Sequence, residues 1–226
     1  SAKVFHYGQA IFEGMKAYKD ENDDVWLFRP DQNLERFNKS AVRMAMPEIE
    51  ENIFMNGLHA LIDLERNWCK KGLGNTLYIR PFMIAIGSGV IAAPSTQYRF
   101  MIILSPAKSY YSGEVKVIIA EHYSRAANGG IDSAQFYPTK LANDKGFQQI
   151  IWTDDATHTK LEEAGTMNVF FRINDTLFTA PLSERILDGV TRKSLIEIAK
   201  RDGIKVEEKT VLVSELVDAA KNGTLK

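Results

Sequence analysis

Val115-Lys-Val-Ile-Ile-Ala120, then Arg125-Ala-Ala-Asn-Gly-Gly130, then Ile131-Asp-Ser-Ala-Gln-Phe-Tyr-Pro-Thr-Lys140: the reading of this chain turns on that stretch. The β-branched run reads as a strand leading into a glycine pair. From the pair the chain passes through Ile131 and Asp132 to Ser133-Ala134-Gln135. The lysine nearest the pair is Lys140. The strand follows a turn at Tyr110-Tyr111-Ser112-Gly113, which places a domain boundary between about residues 112 and 125.

Towards the N-terminus the pattern is α+β. Ser1 to Tyr7 reads as the start of a strand, Asn22-Asp23-Asp24 as a turn, and Val25-Trp-Leu-Phe28 as a short strand. Leu34, Phe37, Ala41 and Met44 recur at helical spacing. From Glu50 to Lys70, Ile53, Phe54, Leu58, Leu61, Ile62 and Trp68 form one broad helical stripe. Thr76 to Ala85 and Tyr98 to Leu104 read as buried strands. Towards the C-terminus, strands are expected over 148–152, 167–173 and 176–179, with Asn174-Asp175 as a hairpin turn. Helices follow from about Thr191 to Arg201, stopped by Gly203, and from about Ser214 to Lys221.

With 226 residues, 45% apolar and 25% charged, the chain can bury roughly 70–75% of its unfolded surface, as one large or two small domains. A formal net charge of −1 with mixed signs offers no extended positive field for nucleic acid or an anionic membrane, so small-molecule chemistry is favoured. The single cysteine, Cys69, on an expected helix, forms no internal disulfide and suits a reducing, cytoplasmic compartment. No apolar run approaches the ~20 residues of a membrane span, and the first residues have no signal-peptide pattern.

Ile186-Leu-Asp-Gly-Val-Thr191 stands directly before a helix carrying Leu195, Ile196 and Ala199. Free backbone N–H groups and the positive end of the helix dipole there suit a phosphate above Val190 and Thr191, with Gly189 permitting close approach. The alternative is an ordinary glycine loop with Thr191 as a cap. Arg80, flanked by Leu77, Ile79, Phe82 and Met83, needs an anion or a buried carboxylate; a structural salt bridge would serve equally. Glu163 could pair with a heteroaromatic N–H⁺, or Glu162 and Glu163 could be a solvated loop pair. Tyr7 and Phe12 could be core residues or pocket walls, as could Tyr110 and Tyr111. The histidines at 6, 59, 122 and 158 lack metal-ligand spacing.

In order along the chain, His6-Tyr7, Phe12-Glu-Gly-Met-Lys-Ala-Tyr18, Leu27-Phe-Arg-Pro30, Leu77-Tyr-Ile-Arg-Pro81, Glu163-Ala-Gly-Thr-Met-Asn168 and Ile186-Leu-Asp-Gly-Val-Thr-Arg192 resemble the branched-chain amino-acid aminotransferases. The resemblance implies a fold-type-IV pyridoxal-phosphate enzyme of α/β (α+β) class. A small α/β domain would occupy 1–112 and a linker 113–125. A large, β-rich pseudo-barrel domain with flanking helices would occupy 126–226. Both domains are expected to be truncated, the chain reading as an internal piece of a longer enzyme. Phe12-Glu-Gly-Met-Lys16 and Gly165-Thr-Met-Asn168 point away from the related D-amino-acid aminotransferases and aminodeoxychorismate lyases.

The implied cofactor is pyridoxal 5′-phosphate. Arg80, Val190 and Thr191 would hold its phosphate, Leu187 would pack on its ring, and Glu163 would hold its ring N–H⁺. Tyr7, Phe12 and Tyr110 would line the substrate side-chain pocket, with Thr166 near the substrate carboxylate. Leucine, isoleucine and valine would be the substrates, 2-oxoglutarate the acceptor, and a second copy of the chain the partner. The family's Schiff-base lysine, expected near Ile131, Asp132 and Ser133, is missing, as is the Gly-Asn-Tyr turn after it. The setting of Lys140 resembles the helix that follows the active site. A non-catalytic homologue that binds a phosphate ligand or a partner subunit is the alternative reading.

Overall fold

Alternation of buried and half-buried residues organises the first of the two units, Ser1–Ser112 and Gly113–Lys226, into which the computed structural model divides. The structure describes residues 1–109, 111, 113–126 and 135–226. Val4–Tyr7 form a short helical turn, α1, that ends on Gly8, whose φ of 61° gives the left-handed cap. The strand expected over 1–7 is therefore corrected; only Ala2 pairs there, in an isolated bridge to Ser88.

Ala10–Phe12 (β1), Met15–Lys19 (β2) and Val25–Leu27 (β3) precede two helices, Pro30–Arg43 (α2) and Glu51–Glu65 (α3). Thr76–Ala85 (β4) and Tyr98–Ala107 (β5) complete an antiparallel sheet. β5 runs the whole length of β4, while β1 and β2 share its other edge, opposite residues 82–84 and 77–79. Pro81 falls where these two strands part. Its carbonyl accepts the Glu13 N–H at 2.9 Å, and its missing N–H faces the same gap, so no ladder bond is lost.

Leu77, Ile79 and Met83 of β4 are buried in one core with Phe37, Phe54 and Leu58. Phe100 closes an aromatic triangle with Phe37 and Phe54, at centroid distances of 5.6 and 5.9 Å. On α3 the buried stripe is Phe54, Leu58 and Ile62. It is narrower than the sequence suggests: Ile53 is exposed, and Trp68 lies in a 3₁₀ turn, Arg66–Trp68, where the helical period breaks. Cys69 follows that turn, buried, with its thiol 3.5 Å from the Ala17 carbonyl. Between β1 and β2, the buried Glu13 receives Arg36 Nε at 2.5 Å and Nη2 at 2.7 Å, together with Asn33 Nδ2 at 2.9 Å.

In the second unit, Val117–Ile119 (β6), within the segment expected as a linker, pairs in parallel with Gln149–Thr153 (β7). Phe136–Asp144 (α4) packs on β7, every residue of which is buried, Trp152 completely. Lys160–Ala164 (β8) lies antiparallel beside β7. Phe171–Ile173 (β9) and Thr176–Thr179 (β10) form the expected hairpin, with Asn174 left-handed at the turn. Met167 lies outside β9 because it bridges back to Ala164. Val190–Arg201 (α5) leads to Lys205–Glu208 (β11), parallel to β10, and Val211–Leu212 (β12) pairs with β8 before Val213–Lys221 (α6).

Asp154 follows β7. Its buried carboxylate accepts the Thr157 N–H and hydroxyl, both at 2.8 Å, and the Thr159 and Lys160 N–H groups, both at 2.9 Å. Burial alone would raise its pKa, but these bonds hold it well below the usual carboxylate range.

Candidate functional site

β8 puts two acidic residues in succession, and strand geometry turns them to opposite faces. Both are buried, Glu162 at 6% and Glu163 at 3% exposure, so a solvated loop pair is excluded. Glu163 has both oxygens engaged. Oε1 takes a charge-assisted hydrogen bond from Arg125 Nη2, which also donates to the Arg185 carbonyl at 3.0 Å. Oε2 accepts Asn168 Nδ2 at 2.8 Å and the Leu187 N–H at 3.2 Å. On the other face, Arg185 Nε stands 2.6 Å from Glu162, with Nη1 2.9 Å from Asp155. Burial still pushes the Glu162 carboxyl above its ordinary value, against the pull of Arg185.

The loop before α5 is tied to Glu163. Asn168 Nδ2 donates to the Leu187 carbonyl at 2.9 Å as well as to Glu163, and the Gly189 N–H donates to the same carbonyl at 2.8 Å. Gly189, at φ −67°, is the N-cap, and no side chain caps the helix. Thr191 lies inside the helix and is exposed, so it is not the cap; Val190 is buried. The first N–H groups of α5 are thus left for an anion. A methyl on Gly189 would stand 2.1 Å from Asn168 Oδ1, so the close approach at this glycine is made by a side chain of the protein itself. Leu187 is about half exposed beside this helix end. Thr166, exposed, lies 3.4 Å from Gln149 Nε2.

In the first unit, Arg80 and Tyr78 lie on the face of β4 turned away from Leu77, Ile79 and Met83. The guanidinium donates to the Tyr78 hydroxyl from Nη2 at 2.7 Å and from Nε at 3.2 Å, and sits 4.2 Å from the centre of the Phe12 ring. Among the described residues the guanidinium has the Tyr78 hydroxyl and the Phe12 ring as its partners, and no carboxylate pairs with it. Gly14 brings Tyr78 in: a methyl there would meet its hydroxyl at 2.4 Å. Phe12 (63% exposed) and Tyr7 (47%) are not core residues; the Tyr7 hydroxyl donates to the Val90 carbonyl.

Tyr110, and the positions Ile131, Asp132 and Ser133 near which the resemblance places a lysine, lie outside the described residues. Lys140 is described. It is on α4, bonded to Asp144 at 2.6 Å, and that hydrogen bond raises its ammonium pKa, opposite to what a nucleophilic amine requires. No His/Cys/Asp/Glu cluster able to hold a metal occurs among the described residues.

Arg125, Asn168, Arg185 and Tyr78 carry no signal in the sequence that marks them for this site. A buried Glu pair needs cations and amide donors nearby, but their identity becomes legible only once β8 is known to be a strand.

The model of the class IV amino-transferases matches residues 10–221. The chain is 42% identical over 237 residues to branched-chain-amino-acid transaminase 1 of Bacillus subtilis (strain 168), covering all of this chain and 67% of that protein. It is 43% identical to a probable branched-chain-amino-acid aminotransferase of Staphylococcus epidermidis, covering all of this chain and 66% of that protein. The chain thus spans about two thirds of the length of these relatives. Since 237 aligned positions meet only 226 residues here, the relatives carry residues without a counterpart in this chain. The fold matches that of an aminotransferase from Brucella abortus bound to the cofactor pyridoxal phosphate, with a TM-score of 0.74 at 21% identity over 95% of this chain and 76% of that one. On the family model and these relatives, the chain belongs to the class IV aminotransferases and, within them, to the branched-chain amino-acid aminotransferases.

Proposed function

We propose that this chain carries the binding frame for pyridoxal-phosphate-dependent transamination of leucine, isoleucine and valine. 2-Oxoglutarate is the amino acceptor, and the products are branched-chain 2-oxo acids and glutamate. The observation that carries this reading is the uncapped start of α5 tied through Asn168 to the buried Glu163, in a chain aligned throughout with a branched-chain transaminase.

The fit to the cofactor is divided. A phosphate monoester suits the open N–H groups of Val190 and Thr191, where the helix dipole favours negative charge. Leu187 offers apolar surface for a ring beside it. Glu163, however, already has both oxygens engaged, and residues 117–139 contain no lysine to hold the cofactor covalently. When bound, the cofactor supplies an electron sink for the substrate's α-carbon. The residues of this chain bind and orient; none described here is placed to move the α-proton, a loss of roughly 10²–10⁴-fold in rate.

Arg80 is assigned to an anionic group, the phosphate first of all, because its cation is held by a neutral hydroxyl and a ring. By the family resemblance Tyr7 and Phe12 are assigned to an aliphatic side chain and Thr166 to the substrate carboxylate, and the same assignment of Tyr110 lies outside the described residues. The exposed Phe5, Phe12, Trp26 and Ile91 of the first unit support a homodimer. The assignment to the cytoplasm rests on the lone, buried thiol; among the described residues no helix is long and apolar enough to cross a membrane.

The test is to graft the corresponding segment of the Bacillus subtilis transaminase between Gly130 and Asp132, and to measure glutamate formation from each amino acid with 2-oxoglutarate. The grafted protein is expected to transaminate all three, slowly while Arg125 occupies Glu163, and the unaltered chain to stay at background. A folded graft that binds pyridoxal phosphate yet accepts none of them overturns the reading.

A further inference from the structure

Glu163 is the carboxylate to which the start of α5 is tied, and it is nearly closed to solvent. Arg125 is bonded to Oε1 with its own side chain only 11% exposed, and its position is fixed by a second bond to the Arg185 carbonyl. Asn168 and the Leu187 N–H occupy Oε2. The carboxylate thus has a full cation and two neutral donors from the chain itself. A protonated ring nitrogen brought to it would meet that buried cation as a like charge, and displacing the guanidinium would strand it at high cost.

We propose that Arg125 is the resident counter-ion of Glu163 and excludes a protonated ring nitrogen from it, leaving the second unit a site for a phosphate monoester recognised by its phosphate end. This rests on the phosphate role given above to the start of α5; the ion pair itself does not. The exchange is electrostatic and forms no covalent bond.

Two measurements test it. The first needs no ligand: thermal unfolding of the full chain with Arg125→Met, Glu163→Gln and both together. The expected result is that Arg125→Met lowers the midpoint by several degrees and that adding Glu163→Gln restores most of the loss, since the bare carboxylate is then gone. Strictly additive losses overturn the ion pair. The second compares, by titration calorimetry, pyridoxal phosphate with its analogue bearing carbon in place of the ring nitrogen. The unaltered chain should bind both within about twofold, and Arg125→Met should favour pyridoxal phosphate by about tenfold. A tenfold preference already present in the unaltered chain overturns the exclusion. Failure of both ligands to bind either protein refutes the phosphate site, and the functional reading with it, while the unfolding cycle still decides the ion pair.

Discussion

Asn168 lies over Gly189 so closely that residue 189 has no room for a β-carbon: its ideal position is 2.1 Å from the amide oxygen that sits there. The glycine's φ of −67° is open to any residue, so packing, not backbone freedom, demands glycine. The Gly189→Ala protein must move Asn168 away from Glu163 and the Leu187 carbonyl. It is expected to lose about 1–3 kcal/mol, as overpacked sites do. Urea unfolding would show this, and protection by inorganic phosphate against unfolding should fall in parallel.

Gly14 stands in a similar relation to Tyr78, but the atom it admits is the end of a side chain that holds Arg80. Gly14→Ala should cost less stability than Gly189→Ala, because the Tyr78 ring can swing outward. Its effect falls on Arg80, which loses its acceptor. Phe12→Leu removes the ring beneath the guanidinium and should cost about 0.5–1 kcal/mol. Unfolding of both variants beside Arg80→Met separates hydroxyl from ring.

Glu13→Ala is the substitution expected to damage the first unit most. It leaves Arg36 and Asn33 without the carboxylate that receives both, at about 3 kcal/mol for a pair shielded from water on one side. Denaturant unfolding of Glu13→Ala against Glu13→Gln checks it: the glutamine keeps an acceptor and should recover part of the loss.

Asp154 and Glu162 should give the second unit opposite pH dependences. Asp154 is held below its unfolded value, so its stabilisation is complete above about pH 4 and is lost as pH falls through the folded pKa. Glu162 is raised, so its contribution is largest below about pH 4 and declines as pH rises through the folded pKa. Asp154→Asn should cost roughly 1–3 kcal/mol at neutral pH and less in acid. Glu162→Gln should flatten the decline on the alkaline side. Urea midpoints across the acid range distinguish the two.

Lys140 should not become the cofactor's anchor. With Asp144 keeping its amine protonated, borohydride treatment of the chain with pyridoxal phosphate, followed by peptide mass mapping, is expected to leave Lys140 no more labelled than other exposed lysines such as Lys160.

The elements legible in the sequence are those whose apolar period speaks alone. β4 alternates from Leu77 to Ala85, α2 repeats Leu34, Phe37 and Ala41, and Gly203 marks the end of α5. β8 is illegible because Lys-Leu-Glu-Glu-Ala has the composition of a surface loop, and the cations that make its burial tolerable, Arg125 and Arg185, are distant in sequence. The sequence places the start of α5 at about Thr191, one residue past its observed start at Val190, and shows the role of Gly189 only by half. A glycine signals close approach without saying whether ligand or side chain does the approaching. Tyr7 and Phe12 show the same limit in reverse, since an aromatic in an apolar stretch carries no sign of which face it takes.

β6 and β7 lie side by side and run in the same direction. Parallel neighbours cannot be joined by a tight turn, so everything from Ala120 to Gln148 belongs to a crossover whose two ends are fixed by the sheet while its length is not. The entropy of closing a connection changes by only about 0.6 kcal/mol for a doubling of length. Residues can therefore be gained or lost within that crossover while Val117 still meets Gln149 and Ile119 still meets Ile151. The sheet therefore fixes where this connection begins and ends without fixing how long it is.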